Sequence, residues 1–269
     1  MRHCVLLLLC AIVLLPLLWI ALSSFKPVTE IYRVPTTLLP QHPTLDSYRF
    51  VLTKVPDLPR YYANSLIVTT SATAGAVAVS CLAGYAFARI DFPGRDQIFW
   101  GLIVTLFLPT SITSLFALYE LTDKMGLLDT RLGLILPYTN SGVIVAMFIM
   151  RSVFMSVPGE LEDAAAIDGC GTFQTFLRIM LPLAAMGIVV VTILNFIGTW
   201  GEYVVARTLT YETARTLPVA IATLQPSTGE WHFSTVAAAY MLMFGPPFLV
   251  MAIVQRWFMK GLTAGAIKF

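Results

Sequence analysis

Few residues in this chain have the type and spacing to do covalent chemistry. Ser23 and Lys26 stand at the S-x-x-K spacing in which a lysine can activate a serine for acyl transfer, but Pro27 follows and neither S-D-N nor K-T-G occurs downstream, so the spacing is coincidental. The four cysteines, Cys4, Cys10, Cys81 and Cys170, fit neither a disulfide framework nor a zinc site and read as space-filling residues. His232 has no second histidine, cysteine or acid at metal spacing on its helix and reads as an interfacial anchor. No G-x-x-x-x-G-K-[ST] is present, so the chain has no Walker loop for nucleotide phosphates. Glu202, between Trp200 and Tyr203, is the acid nearest to an apolar run; the flanking aromatics favour a membrane-interface belt over a buried functional charge. What stands out is residues 160–182, ELEDAAAIDGCGTFQTFLRIMLP, a polar insert with four acids between two long apolar segments.

The elements that carry this insert must be membrane helices. Hydrophobic residues make up 57% of the 269 and charged residues 12%, against about 45–50% and about 25% in soluble domains. The formal charge of +2 is too small and too evenly spread to point to nucleic acid. Charge-free apolar windows recur at residues 3–25, 61–88, 97–119, 132–150, 179–201 and 231–255. Each supplies the roughly 20 residues needed to cross about 30 Å of hydrocarbon. The expected fold is all-α and integral to the membrane, with six transmembrane helices. The first window follows Arg2-His3, but it is longer than a signal-peptide core and no convincing cleavage site closes it, so it reads as an uncleaved anchor. Six helices put both ends on one side, and the acid-free tail with Arg256, Lys260 and Lys268 favours the cytoplasm. The insert, between helices four and five, is then cytoplasmic as well, and residues 26–60, 120–131 and 202–230 face outward.

Within the insert, Pro158 suits a first helical turn, and Glu160, Glu162 and Asp163 set negative charge at the positive end of the macrodipole. Ala164, Ala165 and Ala166 form helix readily and leave one face slim enough for a partner backbone to approach. Gly169 can take the left-handed conformation that ends helices. A second short helix, about 172–181, carries Phe173, Phe176, Leu177 and Met180 as an apolar stripe before Pro182 breaks the pattern. The expectation is a compact helical elbow held at both ends by membrane helices.

These residues resemble a known motif. EDAAAIDG followed downstream by IMLP is similar to the EAA motif of the membrane subunits of binding-protein-dependent ABC importers, and SSFKP, NSLIVT, AGYAFAR, RTLPVAI and GLTAGAIK resemble stretches of the maltose-type carbohydrate branch. The resemblance runs from the first helix to the last residue. It departs at Asp163, where the motif has glutamate, and at Gly201, where asparagine often stands.

The resemblance implies a type I ABC importer permease fold: an N-terminal anchor and extracytoplasmic segment over residues 1–60, a transmembrane core over 61–257 with the coupling loop at 156–182, and a cytoplasmic tail over 258–269. It also implies partners: a second homologous permease subunit, two ATPase subunits, and an extracytoplasmic solute-binding protein that docks outside. Glu162, Asp163, Ala164, Ala165, Asp168, Gly169 and Pro182 are the implied ATPase-coupling residues. Gly261, Leu262, Thr263, Ala264 and Gly265 would contact the ATPase pair, and the segment around Gly229 would reach the binding protein. The chain itself would bind no cofactor; ATP–Mg is used by the partner ATPases. From side-chain polarity alone, Asn64, Thr69, Ser111, Ser114, Asn140, Asn195, Thr199 and Glu202 are candidates to line a path, although membrane helices also use such residues to hold one another. The implied function is half of the pathway for a sugar or oligosaccharide across a bacterial plasma membrane, with glycerol-phosphate esters and amino sugars as related cargoes. An ion-coupled secondary transporter is the alternative; the spans lack the midplane charges and internal duplication typical of that class.

Overall fold

A computed structural model describes residues 2–107, 111–223 and 231–266, with the side chains of residues 2, 4, 111–113 and 254–266 excepted. The described residues are helical, with no strand among them. Helices α1 (Arg2–Ser23), α4 (Leu58–Arg89) and α7 (Arg131–Met155) each contain a segment long and apolar enough to span a membrane, as does Phe233–Ile253 within α14 (Phe233–Ala266). A fifth span is formed if the bent pair 172–183 and 185–200 counts as one.

The window at 97–119 is not one helix. It is divided between α5 (Arg95–Thr105) and α6 (Ser111–Lys124), of 11 and 14 residues, and at about 1.5 Å per residue neither alone reaches across about 30 Å. Pro109, which has no N–H to continue a helix, lies in the gap and outside the described residues. Among the described residues, four helices, or five spans with the bent pair counted as one, are long and apolar enough to cross a membrane, where six were expected.

The chain forms two compact units. One comprises Met1–Asn64 with Arg215–Pro246. In it most of α1 is uncovered among the described residues, with Leu7, Val13 and Leu18 all exposed, as expected of a lipid-facing anchor. After α1 the backbone is tied down by α2 (Val28–Ile31) and α3 (Asp46–Lys54). Lys26 is only 2% exposed; it lies 4.7 Å from the Trp19 ring centroid and donates to the Thr37 carbonyl. Glu30 accepts from the Gln41 N–H, the Thr37 hydroxyl and the His42 N–H. Those bonds, the Gln41 amide foremost, hold its carboxyl below the usual range against the opposing effect of burial. Lys26 of the S-x-x-K spacing is thus engaged in packing this segment. His232 meets the Tyr32 ring edge-on at 6.0 Å.

The other unit comprises Ser65–Ala214 with Pro247–Phe269. Its core joins Cys81 and Tyr85 of α4, Met150 and Phe154 of α7, and Phe176, Met180, Ala184 and Val191 from the chain that follows. Cys81 fills space as expected, whereas Cys10 is exposed on α1 and packs no core. Helices α4 and α7 cross so closely at Gly84 that a Cβ there would lie 2.8 Å from Met150 Cβ and 2.9 Å from the Arg151 nitrogen. Small residues allow that approach between membrane helices. α11 (Ala185–Trp200) packs along α7, with Gly187 against Val153 and Met150.

Candidate functional site

The polar insert folds as an elbow. α8 (Glu160–Ile167) has Glu160, Glu162 and Asp163 in its first turn. It ends in a Schellman turn: the Cys170 N–H bonds the Ala165 carbonyl at 2.9 Å, the Gly169 N–H bonds that of Ala166 at 3.1 Å, and Gly169 sits at φ +80°. The return leg differs from the expected regular helix. After α9 (Thr172–Thr175) comes a π turn, Phe176–Met180, and then α10 (Leu181–Leu183), with a bend of 76° into α11. A proline ring clashes with the carbonyl four residues back, and the wider π turn relieves that conflict ahead of Pro182. The chain continues helically through Pro182 and breaks at Ala184 instead. The π turn also rotates the expected stripe: Phe176 and Met180 are buried, while Phe173 and Leu177 are exposed.

The coupling candidates divide into two sets. Asp163, Ala164, Asp168 and Gly169 lie exposed on the elbow, where Ile167 is 87% exposed and Phe173 64%. A short helix showing bare apolar side chains between acids is a surface built to be covered. Ala165 is buried. Glu162 faces inward: one carboxylate oxygen pairs with Arg89 Nε at 3.1 Å and the other accepts from the Tyr85 hydroxyl at 2.9 Å. It joins the elbow to its own helix frame. The neighbouring arginine and tyrosine lie on α4, too distant in sequence to have been paired with it. Pro182 is exposed in α10, and Gly261, Leu262, Thr263, Ala264 and Gly265 continue α14 as helix, their side chains outside the described ones.

The path candidates do not form one lining. Asn195 and Thr199 of α11 join Ser141 and Gly142 of α7 around a cavity of about 330 Å³. Asn140 faces a separate, mainly apolar cavity of about 250 Å³ with Leu118, Thr122 and Leu136. Asn64 is buried and donates to the Arg215 carbonyl at 3.0 Å, and Thr69 is buried in α4. Ser114 is exposed, and the side chain of Ser111 lies outside the described ones, as does Gly229. Glu202 is engaged otherwise: it accepts from the Tyr138 hydroxyl at 2.6 Å and from the N–H groups of Val205 and Ala206, the start of α12 (Val204–Leu209). Its carboxylate thereby caps the first N–H groups of α12 and ties them to α7.

Sequence reasoning passed over Asp129. This residue, at φ +54°, precedes α7 and accepts hydrogen bonds from the N–H groups of Tyr211, Glu212, Thr213 and Ala214 and from the Thr213 hydroxyl. Burial opposes its ionisation, but the Thr213 hydroxyl and the backbone donors outweigh that and hold the carboxyl far below the usual range. Its signal, an aspartate in a turn after Gly126, is too common to single out.

A multi-span helical frame with an exposed acidic and apolar elbow defines a membrane subunit that works with other chains. Residues 76–264 match the family of binding-protein-dependent transport system inner membrane components, and the chain belongs to that family. The diacetylchitobiose uptake system permease protein of Streptomyces coelicolor is 31% identical over 268 residues, 99% of this chain and 88% of that one. The trehalose transport system permease protein of Mycobacterium tuberculosis is 35% identical over 258 residues, covering 95% and 92%. A solved bacterial ABC transporter involved in the import of the acidic polysaccharide alginate matches with a TM-score of 0.81 over 96% of this chain and 95% of that chain, at 22% identity. That likeness is one of fold. Family membership leaves the ion-coupled alternative without support.

Proposed function

We propose that the chain is the permease subunit of an ATP-driven ABC importer for a sugar or oligosaccharide, forming half of the translocation pathway in a bacterial plasma membrane. Relatives that serve diacetylchitobiose and trehalose support the cargo class. In this reading α5 and α6 together complete a sixth span, both termini lie in the cytoplasm, and a second permease subunit supplies the other half. A solute-binding protein delivers cargo from outside, and a pair of ATPase subunits burns ATP–Mg inside.

The observation that carries the reading is the elbow itself. Asp163, Ala164, Ile167, Asp168 and Phe173 offer a mixed acidic and apolar surface at the end of a helix frame. An ATPase cleft gripping that surface would turn nucleotide-driven closure into rigid-body motion of the helices. The cavity beside Asn195 and Thr199 is where this subunit would face cargo.

Gly169→Val tests the assignment. The left-handed backbone at φ +80° costs a β-branched residue roughly 1–2 kcal/mol or more, so the elbow tip must rearrange. No atom lies within 4 Å of where its Cβ would start, so the core is spared. The expected outcome is normal membrane insertion with loss of ATPase co-purification and of ATP-dependent uptake. Normal association and uptake would count against the elbow as the joint.

A further inference from the structure

α8 is flanked by Gly159 on one side and by Gly169 and Gly171 on the other. If these backbone links were its only attachments, α8 could swivel when pushed and the displacement would be absorbed locally. The structure contains a device that prevents this. Arg89, the last residue of α4, reaches α7, the turn after it and α8 at once: its guanidinium donates to the carbonyls of Phe154 in the last turn of α7, at 2.9 Å, and of Val157 just past that helix, while its Nε lies 3.1 Å from Glu162 of α8 as an ion pair. One turn earlier, Tyr85 donates its hydroxyl to the other Glu162 oxygen at 2.9 Å. Its ring packs edge-on against Phe154 at 5.6 Å and at a tilt against Phe176 of the return leg at 5.0 Å.

We infer that Arg89, with Tyr85, is a positioning clamp that locks the first turn of α8 to the ends of α4 and α7, so that a force on the elbow tip turns the helix frame rather than the elbow alone. The chemistry fits the task. One guanidinium nitrogen donates to both carbonyls while the Nε edge of the same rigid plane pairs with the carboxylate as an ion pair, a fixed geometry that a flexible ammonium does not hold. The pair is sheltered, with Arg89 and Glu162 side chains 19% and 21% exposed, so solvent competes weakly for either charge. Both legs of the elbow touch α4, at Tyr85 and Arg89, while among the described residues nothing beyond its chain neighbours comes within 4 Å of a Cβ built at the Gly169 tip. Residues anchored at one end and bare at the other make a lever.

This inference rests on the transport reading, and its test uses the intact transporter complex in proteoliposomes. Native cysteines are replaced, and a reporter cysteine, Thr199→Cys, is placed in the α7–α11 cavity. Two quantities are read: the ATPase rate, and the ATP–Mg-dependent change in labelling of the reporter by a methanethiosulfonate reagent. Coupling elements of this kind shift responses by a few-fold to about thirtyfold. In Arg89→Ala the ATPase rate is expected to stay within about twofold, while the nucleotide-dependent labelling change shrinks roughly three- to tenfold; Glu162→Ala should shrink the labelling change to the same extent, and the double variant should be no worse than either single one. Arg89→Lys should recover only part of the response. An unaltered labelling change with the complex intact would overturn the clamp. If Arg89→Ala does not accumulate, Tyr85→Phe decides, since it keeps the ring wedge and loses only the hydroxyl: a reduced response supports the clamp and an unchanged one overturns it. Failure of the parent complex to show any nucleotide-dependent labelling would instead count against the transport reading itself.

Discussion

α7 ends differently at its two termini. At its start, Asp129 gathers four backbone N–H groups and a hydroxyl from residues 211–214, and Glu202 ties Tyr138 to the first turn of α12. Past its end, α8 is clamped by Arg89 on one side and bare on the other, with Ile167 and Phe173 uncovered. The first end has its polar groups satisfied within the chain; the second keeps an apolar and acidic surface that nothing in the chain uses. Buried, satisfied polar networks make structure rigid, whereas an unspent surface next to a rigid frame is where another chain can act. On the proposed function, the contrast separates residues that hold the subunit together from residues that would connect it to a partner ATPase.

Substitutions should cross this divide without overlap. The largest loss of stability is expected for Asp129→Ala, which strands several donors at once and should cost about 2–3 kcal/mol, read as a drop of several degrees in the detergent Tm. Elbow association should survive it. Gly84→Val comes next: the added atoms meet Met150 and the backbone of Arg151, so prying α4 from α7 should cost about 1–3 kcal/mol in the same assay.

Acidity sharpens the comparison further. Because the Asp129 carboxyl is held below its ordinary value of 3.8, its contribution is fully present above that pH and is lost only as pH falls through the depressed value. The stability gap between the parent and Asp129→Asn should therefore be constant from neutral pH down to about 3.8 and narrow below it. A gap that closed at higher pH would mean that the carboxylate is not the acceptor of those bonds. The smallest effect is expected for Asp163→Ala on the elbow, under about 0.5 kcal/mol in stability yet with weakened ATPase co-purification, a dissociation of stability from assembly that the Asp129 variants should show in reverse.

How much of this was legible beforehand follows the range of the interactions. α8, its acidic first turn and its Gly169 terminus are set by neighbours within a few residues, so composition and capping rules reach them. The π turn was not visible, because it answers a conflict between Pro182 and the helix in which Phe176 and Met180 must still reach the core. The Glu162 clamp joins residues as far as 77 positions apart, and the Asp129 bracket joins residues up to 85 apart. No local pattern marks either pair. Polar residues on the spans were ambiguous for a different reason: a threonine hydroxyl in hydrocarbon can bond its own helix, as Thr70 does to Leu66 and Thr192 to Ile188, so polarity alone does not reveal a path. The split of residues 97–119 into two short helices was likewise hidden by a hydropathy window that averages over Pro109.

The account stands or falls on what touches the elbow. Ile167, almost fully exposed at the tip, can be replaced by cysteine in a background with Cys170→Ser, and the assembled transporter treated in its membrane with a short bifunctional thiol reagent. The prediction is that Ile167→Cys cross-links to the ATPase subunit and is shielded from a membrane-impermeant maleimide added outside intact cells. Labelling from outside, with no ATPase adduct, would contradict it.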